Sequence, residues 1–290
     1  MSEGLIRNRN YLNGALLMPS NYLWDNSSTE ASSRFDALSA LYDPLTIKHV
    51  EGLGIGPGWS CLEVGGGSGS IARWLSNEVG QTGRVLVTDI NTRFLGNLRN
   101  LPNIEVVEHD IGKDELPKDK FDLVHARLVL LHVPQREQAL AKMITSTKSG
   151  GWVMVEDFDN GIGREATGHD YHPTKGVPPS MSTPVFEKLI QAREKIMQSH
   201  GADQSYARRL YHLFRSHGLR DVEMEAFAAT RSGGSKGGVL EKANTLQSKD
   251  EMLATGILTD SEFEEALGLM DDPEWARFAP YMISVWGRKP

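Results

Sequence analysis

The sequence predicts an α/β fold: a doubly wound, mostly parallel seven-stranded sheet with helical insertions. Between residues 59 and 156, short apolar runs alternate with segments of helical periodicity. Strict alternation of this kind is typical of a parallel sheet covered by helices on both faces. Two more apolar runs, at 219–228 and 281–287, complete the seven strands. At 39% hydrophobic residues, the 290-residue chain can fill a large core.

The first five predicted strands are apolar runs bounded by turn residues. They lie at residues 59–64, 84–89, 104–107, 121–125 and 152–156. Between them, the apolar positions from Ile71 to Val79 predict one helix, and residues 91–100 predict a short second helix. Pro134 suits the first turn of a third helix, and Gly150-Gly151 is predicted to end it before the fifth strand.

Residues 1–50 are predicted to form an N-terminal lid segment and a helix. Ser27-Ser-Thr-Glu30 fits a capping box, and the apolar residues that follow recur at helical spacing. The helix is therefore predicted from about residue 29 to 50. The remaining chain, 51–290, is predicted to form one α/β domain.

Two insertions interrupt this domain. The first, at about 157–182, is rich in Gly, Pro, His and Asp, and the second, at about 229–278, contains a further capping box at Thr259-Asp-Ser-Glu262. Helical patterns at about 183–200 and 205–217 lie between them. Compact domains keep long insertions mainly for function, so both are predicted to cover the functional site as a lid.

Composition narrows the class of protein. The formal net charge of −7 gives no general excess of positive charge for a phosphate backbone, which argues against nucleic acid as a partner. The single cysteine, Cys61, favours a reducing compartment. No window resembles a signal peptide or a membrane span. The sequence predicts a cytoplasmic protein without a membrane partner, and it leaves the oligomeric state open, with a homodimer as one option.

A glycine-rich turn follows the first predicted strand. Gly65, Gly67 and Gly69 form a G-x-G-x-G pattern between a strand and a helix. Glycines at such a turn let the backbone approach a ligand closely, because a side chain there would collide with it. The same stretch also satisfies the dinucleotide fingerprint, from Gly67 to Ala72, and this reading would make the protein a nicotinamide-dependent oxidoreductase.

Three acidic residues follow or end neighbouring strands. Glu63 lies two residues before the glycines, where a buried charge needs a partner such as a ligand ammonium group. Asp89 ends the second strand, where its carboxylate can accept hydrogen bonds from both hydroxyls of an adenosine ribose. Asp110 follows the third strand and is predicted to meet the adenine amino group, with Ile90 and Ile111 packed on the ring.

These motifs resemble those of the seven-stranded, class I S-adenosylmethionine-dependent methyltransferases. The resemblance runs from about Trp59 to Glu156, and Met282-Ile-Ser-Val-Trp-Gly is similar to the last, antiparallel strand of that Rossmann-like fold. Tyr22-Leu-Trp-Asp, the segment from Phe121 to His132 and Val155-Glu-Asp-Phe resemble small-molecule methyltransferases of secondary metabolism.

The resemblance implies that S-adenosylmethionine is the cofactor and assigns residues to it. These are Glu63, Gly65, Gly67, Asp89, Ile90, Asp110, Ile111, Ala126 and Arg127. Tyr22, in the N-terminal lid segment, is assigned to the same site. Residues 65–67 are all glycine, whereas the alternating pattern requires only Gly65 and Gly67. The sequence therefore leaves the conformation of the loop open.

Methyl transfer is an in-line displacement, so holding the reactants together is the main task of the protein. An acceptor that loses a proton also needs a base. The candidates are His132 after the fourth strand, Asp157 after the fifth, and His169 in the first insertion. His169 and its neighbours lack further ligands at a recognisable spacing, so no metal is predicted.

The sequence therefore predicts transfer of a methyl group from S-adenosylmethionine to a small, aromatic or heterocyclic acceptor. Three alternatives remain open at this point. They are an NAD(P)-dependent oxidoreductase, a nucleic-acid methyltransferase, and a protein that binds the cofactor without transferring its methyl group.

Overall fold

The computed structural model describes residues 31–160 and 184–290, together with residues 11, 12, 15, 16 and 23. A seven-stranded sheet forms its centre. We number the strands of this sheet along the chain: β1 Ser60–Val64, β2 Arg84–Asp89, β3 Ile104–Glu108, β4 Phe121–Arg127, β5 Thr147–Asp159, β6 Arg220–Phe227 and β7 Tyr281–Arg288.

The strands lie in the order β3-β2-β1-β4-β5-β7-β6. The first five pair in parallel, whereas β7 is antiparallel to both of its neighbours. The chain changes direction across the sheet between β1 and β4, which creates a crevice at their carboxyl ends. The predicted fold class, a doubly wound and mostly parallel seven-stranded sheet, is confirmed.

Helices cover both faces of the sheet. Their bounds are α1 Ala31–Gly52, α2 Ser70–Val79, α3 Arg136–Ser146, α4 Pro184–Ser199, α5 Leu210–Ser216, α6 Lys236–Gln247, α7 Lys249–Ala254 and α8 Asp260–Leu269. Successive residues of β4 enter opposite cores because side chains alternate along a strand. Leu123 packs with Leu75 of α2, and Val124 packs in the other core with Leu140 of α3.

The second insertion forms most of a cap with its own core. The cap consists of α4, α6, α7, α8 and a two-stranded ribbon, in which Thr230–Ser232 pairs with Ala276–Phe278. Phe186, Phe263 and Trp275 are buried together there, apart from the two sheet cores. The capping box predicted at Thr259 is present at the start of α8. No helix in the described part of the chain is both long and apolar enough to cross a membrane.

The short helix predicted at residues 91–100 is present as a 3-10 helix over Thr92–Asn100. One local prediction is corrected. Gly150-Gly151 does not end a helix, because α3 ends at Ser146 and the glycines lie inside β5. The strand irregularity there needs a residue without a side chain, since a Cβ on Gly151 would lie 2.9 Å from the Asp122 carbonyl oxygen. The capping box at residues 27–30 and residues 161–182 of the first insertion lie outside the described residues.

Candidate functional site

A cavity of about 750 Å³ opens at the carboxyl ends of β1, β2 and β4. Its size is typical of small-molecule sites, and open α/β sheets bind their ligands at this edge. The cap closes the opposite side of the cavity. Of the residues predicted for the site, those that line it are Glu63, Gly65, Gly67, Asp89, Ile90, Asp110, Ile111, Arg127 and His132.

The glycine loop between β1 and α2 is held against its neighbours by the backbone. The N–H of Gly65 donates to the carbonyl oxygen of Thr88 at 2.7 Å. Gly65 has φ +72°, and a Cβ there would lie 2.3 Å from Cγ2 of Val129. Gly69 has φ +81°, and its Cβ would lie 2.5 Å from Cδ1 of Leu98. Only glycine fits this turn without displacing the residues beneath it.

Asp89 ends β2 beside the loop. One carboxylate oxygen accepts from the N–H of Gly67 and the other from the N–H of Asn91, both at 2.9 Å. Burial raises the pKa of this carboxyl against the effect of these two hydrogen bonds. Each oxygen can still accept a second hydrogen bond. Asp89 can therefore hold the loop and bind a pair of ligand hydroxyls at the same time.

Glu63 has a protein partner that the sequence analysis missed. Its Oε2 lies 2.6 Å from Nδ1 of His125 on the adjacent strand β4, and both side chains are buried. Glu63 therefore already has a partner within the protein, and its contact with a ligand ammonium group stays a prediction. Burial alone would lower the pKa of His125, but the charges of Glu63 and Glu156 outweigh it and raise the pKa to about 9. His125 is thus an imidazolium ion at neutral pH.

Glu156 receives the other side of this imidazolium ion. His125 Nε2 lies 3.4 Å from Glu156 Oε2, the Thr46 hydroxyl donates to the same oxygen, and Ser284 donates to Oε1 at 2.7 Å. His49 Nδ1 lies 3.3 Å from Oε1. Despite complete burial, the hydrogen bonds from His125 and His49 hold the pKa of Glu156 well below its usual range. With Glu63, these side chains form what we call the sheet cluster, which ties helix α1 to four strands, β1, β4, β5 and β7, beneath the cavity.

Arg127 lines the cavity and contacts the same cluster. Its guanidinium donates to Thr46 Oγ1 at 2.9 Å and to Asp43 Oδ1 at 2.7 Å, both on α1. Ala126, the other residue predicted at this turn, is fully buried in β4 and does not line the cavity. Tyr22 lies outside the described residues.

The turn after β3 places polar and apolar groups side by side. Asp110 accepts from the N–H of Gly112 at 2.9 Å and pairs with Lys113 Nζ at 2.8 Å. Burial opposes ionisation, but the hydrogen bond and charge of Lys113 outweigh it and lower the pKa of Asp110. Ile90 is 43% exposed, whereas Ile111 is buried. An exposed apolar side chain in a cavity offers a surface for a flat ring.

His132 is the base candidate that lies at the cavity wall. Burial, assisted by the positive charges of Arg34 and Arg136, lowers its pKa to about 3. The imidazole is therefore neutral at physiological pH, and so low a pKa makes it a weak base in this state.

The structure places the other two base candidates elsewhere. Asp157 is fully buried and does not line the cavity. Its Oδ2 accepts from the N–H of Leu131 at 3.1 Å, and burial raises the pKa of the carboxyl to about 8, so it is protonated at neutral pH. His169 lies outside the described residues. Within the ranges the structure describes, no group of three or more His, Cys, Asp or Glu side chains could hold a metal ion.

Three arginines that no sequence motif predicted line the cavity, and two of them belong to the cap. Arg193 of α4 and Arg231 of the ribbon line the side of the cavity away from the glycine loop. Arg34 of α1 lines it as well. These residues come from three distant segments, so only the folded chain shows that they share a site.

Comparison with known families identifies the central segment. Residues 62–155 match a family model described as a methyltransferase domain. A ubiquinone/menaquinone biosynthesis C-methyltransferase from Pseudomonas savastanoi is 36% identical over 116 residues, which covers 38% of this chain and 45% of that protein. A homologue from Laribacter hongkongensis is 36% identical over 110 residues, with 36% and 45% covered. The chain thus matches somewhat less than half the length of these relatives.

Solved structures extend the similarity to the whole fold. A phosphoethanolamine N-methyltransferase from Haemonchus contortus, solved with S-adenosylhomocysteine, superposes with a TM-score of 0.57 at 12% identity, covering 94% of this chain and 61% of that one. The YcgJ protein of Bacillus subtilis gives 0.54 at 16% identity, covering 85% and 97%. Residues 62–155 therefore match a methyltransferase domain, and the whole chain has the fold of these solved structures.

Proposed function

We propose that this protein transfers a methyl group from S-adenosylmethionine to a small aromatic or heterocyclic acceptor. The observation that carries the proposal is the convergence of the glycine loop, Glu63 and Asp89 on one cavity at the carboxyl edge of the sheet. The methyltransferase-domain match over the same strands supports it. A volume of about 750 Å³ leaves room for an acceptor beside the cofactor.

Each cofactor contact follows from the chemistry of the group that faces the cavity. Asp89 accepts hydrogen bonds from the ribose hydroxyls, and Asp110 meets the adenine amino group. Ile90 and Ile111 pack on the faces of the ring. Glu63, fixed in position by His125, binds the ammonium group of the amino-acid moiety.

When bound, the cofactor supplies an electrophilic methyl group, so the chain's own residues need only orient the acceptor and exclude water. Apolar side chains at the cavity wall suit a flat acceptor: Leu38, Leu131, Phe158, Met197 and Leu240. For an acceptor that must lose a proton, His132 is the candidate base because it lies at the cavity wall. The acceptor atom can be oxygen, nitrogen or carbon. Carbon is included because the relatives are named C-methyltransferases.

Calorimetric titration with S-adenosylhomocysteine and, separately, with NAD tests the cofactor half of the proposal. We expect the first to bind and the second not to bind. Asp89→Ala should abolish binding, because the ribose loses its acceptor and the glycine loop loses a hydrogen bond. Asp250→Ala on α7, an exposed acidic residue outside the cavity, is the matched control and should bind normally. Binding of NAD, or of neither compound, would contradict the proposal.

We also propose that the enzyme acts in the cytoplasm on a metabolite of secondary metabolism. Light scattering on the purified protein tests the predicted homodimer option, with a mass of twice 32.1 kDa as the positive result.

A further inference from the structure

The cap encloses a cluster of buried charged side chains at the edge of the cavity. We call it the cap cluster: Arg193 on α4, Arg231 and Arg277 on the ribbon, and Glu241 on α6. Glu241 is fully buried, and Arg231 and Arg193 are 3% and 9% exposed. Both of these arginines line the cavity, so the cluster lies between the interior of the cap and the ligand space.

A single carboxylate serves all three guanidinium groups. Arg193 donates to one oxygen of Glu241 and Arg231 to the other, while Arg277 Nη1 lies 3.4 Å from Oε1. Arg193 also donates to Thr245 Oγ1 at 2.7 Å. Although burial opposes ionisation, the charges of the arginines hold the pKa of Glu241 well below its usual range.

The positive charge in this cluster exceeds the negative charge. The guanidinium groups of Arg193 and Arg231 share one carboxylate, that of Glu241, so these three buried side chains carry one more positive charge than negative. Arginine cannot discard its charge by losing a proton, so the imbalance is permanent. The Nε atoms of Arg193 and Arg231 are buried and have no hydrogen-bond partner in the described part of the chain. Buried donors without partners are costly, and a role limited to fastening the cap would not require them.

We propose that the cap cluster binds a carboxylate group of the methyl acceptor, so that the substrate is a small aromatic carboxylate anion. This inference rests on the proposed function and names its substrate class. A carboxylate accepts charge-assisted hydrogen bonds from guanidinium groups and offsets their positive charge. Glu241 already binds two of these arginines from the cap side.

The two ends of the cavity would then orient the substrate. The acidic residues Glu63 and Asp89 lie at the end with the glycine loop, and the cap arginines lie at the other. An acceptor anchored by its carboxylate at the cap presents its opposite edge toward the position of the transferable methyl group. Orientation of this kind is the contribution that in-line transfer most needs.

The test compares salicylate with salicylamide, which have the same ring and hydroxyl group but differ in charge. Each is titrated calorimetrically into the full-length protein saturated with S-adenosylhomocysteine. We expect salicylate to bind at least about tenfold more tightly, the minimum for charge-assisted hydrogen bonds from arginine. Arg193→Gln and Arg231→Gln should each reduce this preference to less than about threefold. Lys242→Gln, which removes a partly exposed positive charge from the same helix as Glu241, should leave it unchanged.

The outcomes separate this inference from the proposed function. Equal binding of salicylate and salicylamide by the wild-type protein overturns the carboxylate site, whether or not the variants fold. A preference for salicylate that survives both arginine substitutions also overturns it. Tighter binding of phenyl phosphate than of salicylate would identify a phosphate site and overturn the carboxylate assignment. Failure of S-adenosylhomocysteine to bind would instead overturn the proposed function.

Discussion

Two buried charge clusters adjoin the cavity, and the charges at their centres are opposite in sign. Beneath the glycine loop, the sheet cluster places one imidazolium ion, His125, between the carboxylates of Glu63 and Glu156. In the cap cluster, one carboxylate, Glu241, is shared by three guanidinium groups. The first places a cation between two carboxylates and the second places a carboxylate among guanidinium groups. We call the two ends of the cavity next to them the sheet pole and the cap pole.

The clusters also differ in how they can respond to a lost partner. Carboxylates can neutralise themselves by binding a proton, whereas guanidinium groups stay charged at every accessible pH. The sheet cluster can therefore adapt to a change of pH, and the cap cluster cannot. This difference decides the order of the effects expected below.

Removing Glu241 should have the largest effect on stability. Glu241→Gln removes the buried counter-charge that Arg193 and Arg231 share, and breaking a buried ion pair from one side costs about 3–5 kcal/mol. We expect a loss at the upper end of this range in urea denaturation, nearly constant between pH 5 and pH 9. A loss below about 1 kcal/mol would mean that the cap charges are already solvated and that the two-pole comparison is wrong.

Removing His125 should cost less and depend on pH. His125→Gln leaves two buried carboxylates facing each other, for which we expect about 3 kcal/mol at pH 7. The pKa of His125 is raised from about 6.5 to about 9, so its contribution is complete below pH 6.5 and disappears as the pH rises through 9. Urea denaturation should therefore show wild type and variant converging above pH 9. His200→Gln, at a partly exposed histidine paired with Glu251, is the control and should change little. A difference that stays constant across this range would contradict an imidazolium ion at position 125.

The sequence predicted the sheet pole far better than the cap pole. Glu63 and Asp89 were found because each lies at the end of a local apolar run next to a glycine turn. His125 was overlooked inside the apolar run 121–125, although a titratable residue in such a run is itself a signal that a buried partner exists. Arg193 and Glu241 are 48 residues apart in the chain. No local periodicity connects them, so only the packing of the cap reveals the cluster.

The glycine loop allows the sheet pole to be changed without touching a charge. Gly65→Ala would place a Cβ 2.3 Å from Val129 at φ +72°, which we expect to cost about 2 kcal/mol and to weaken S-adenosylhomocysteine binding at least about tenfold. Gly256→Ala is matched to it, since Gly256 also has a positive φ, +70°, but faces open space and lies outside the cavity. It should cost about 1 kcal/mol and leave binding unchanged. Equal losses of affinity in a calorimetric titration would show that backbone strain alone, rather than the close approach at the loop, controls binding.

The smallest effect on stability should come from an exposed ion pair near the sheet cluster. Lys48 lies on α1, one residue before His49, and its Nζ is 3.2 Å from Oε1 of Glu225. The two side chains are 66% and 41% exposed. Lys48→Gln should change the free energy of unfolding by less than about 0.5 kcal/mol, because water already solvates both charges. Urea denaturation of this variant beside His125→Gln isolates the contribution of burial. If both variants lost the same free energy of unfolding, contact between opposite charges would matter more than burial. The buried clusters would then give no support to a role in ligand binding.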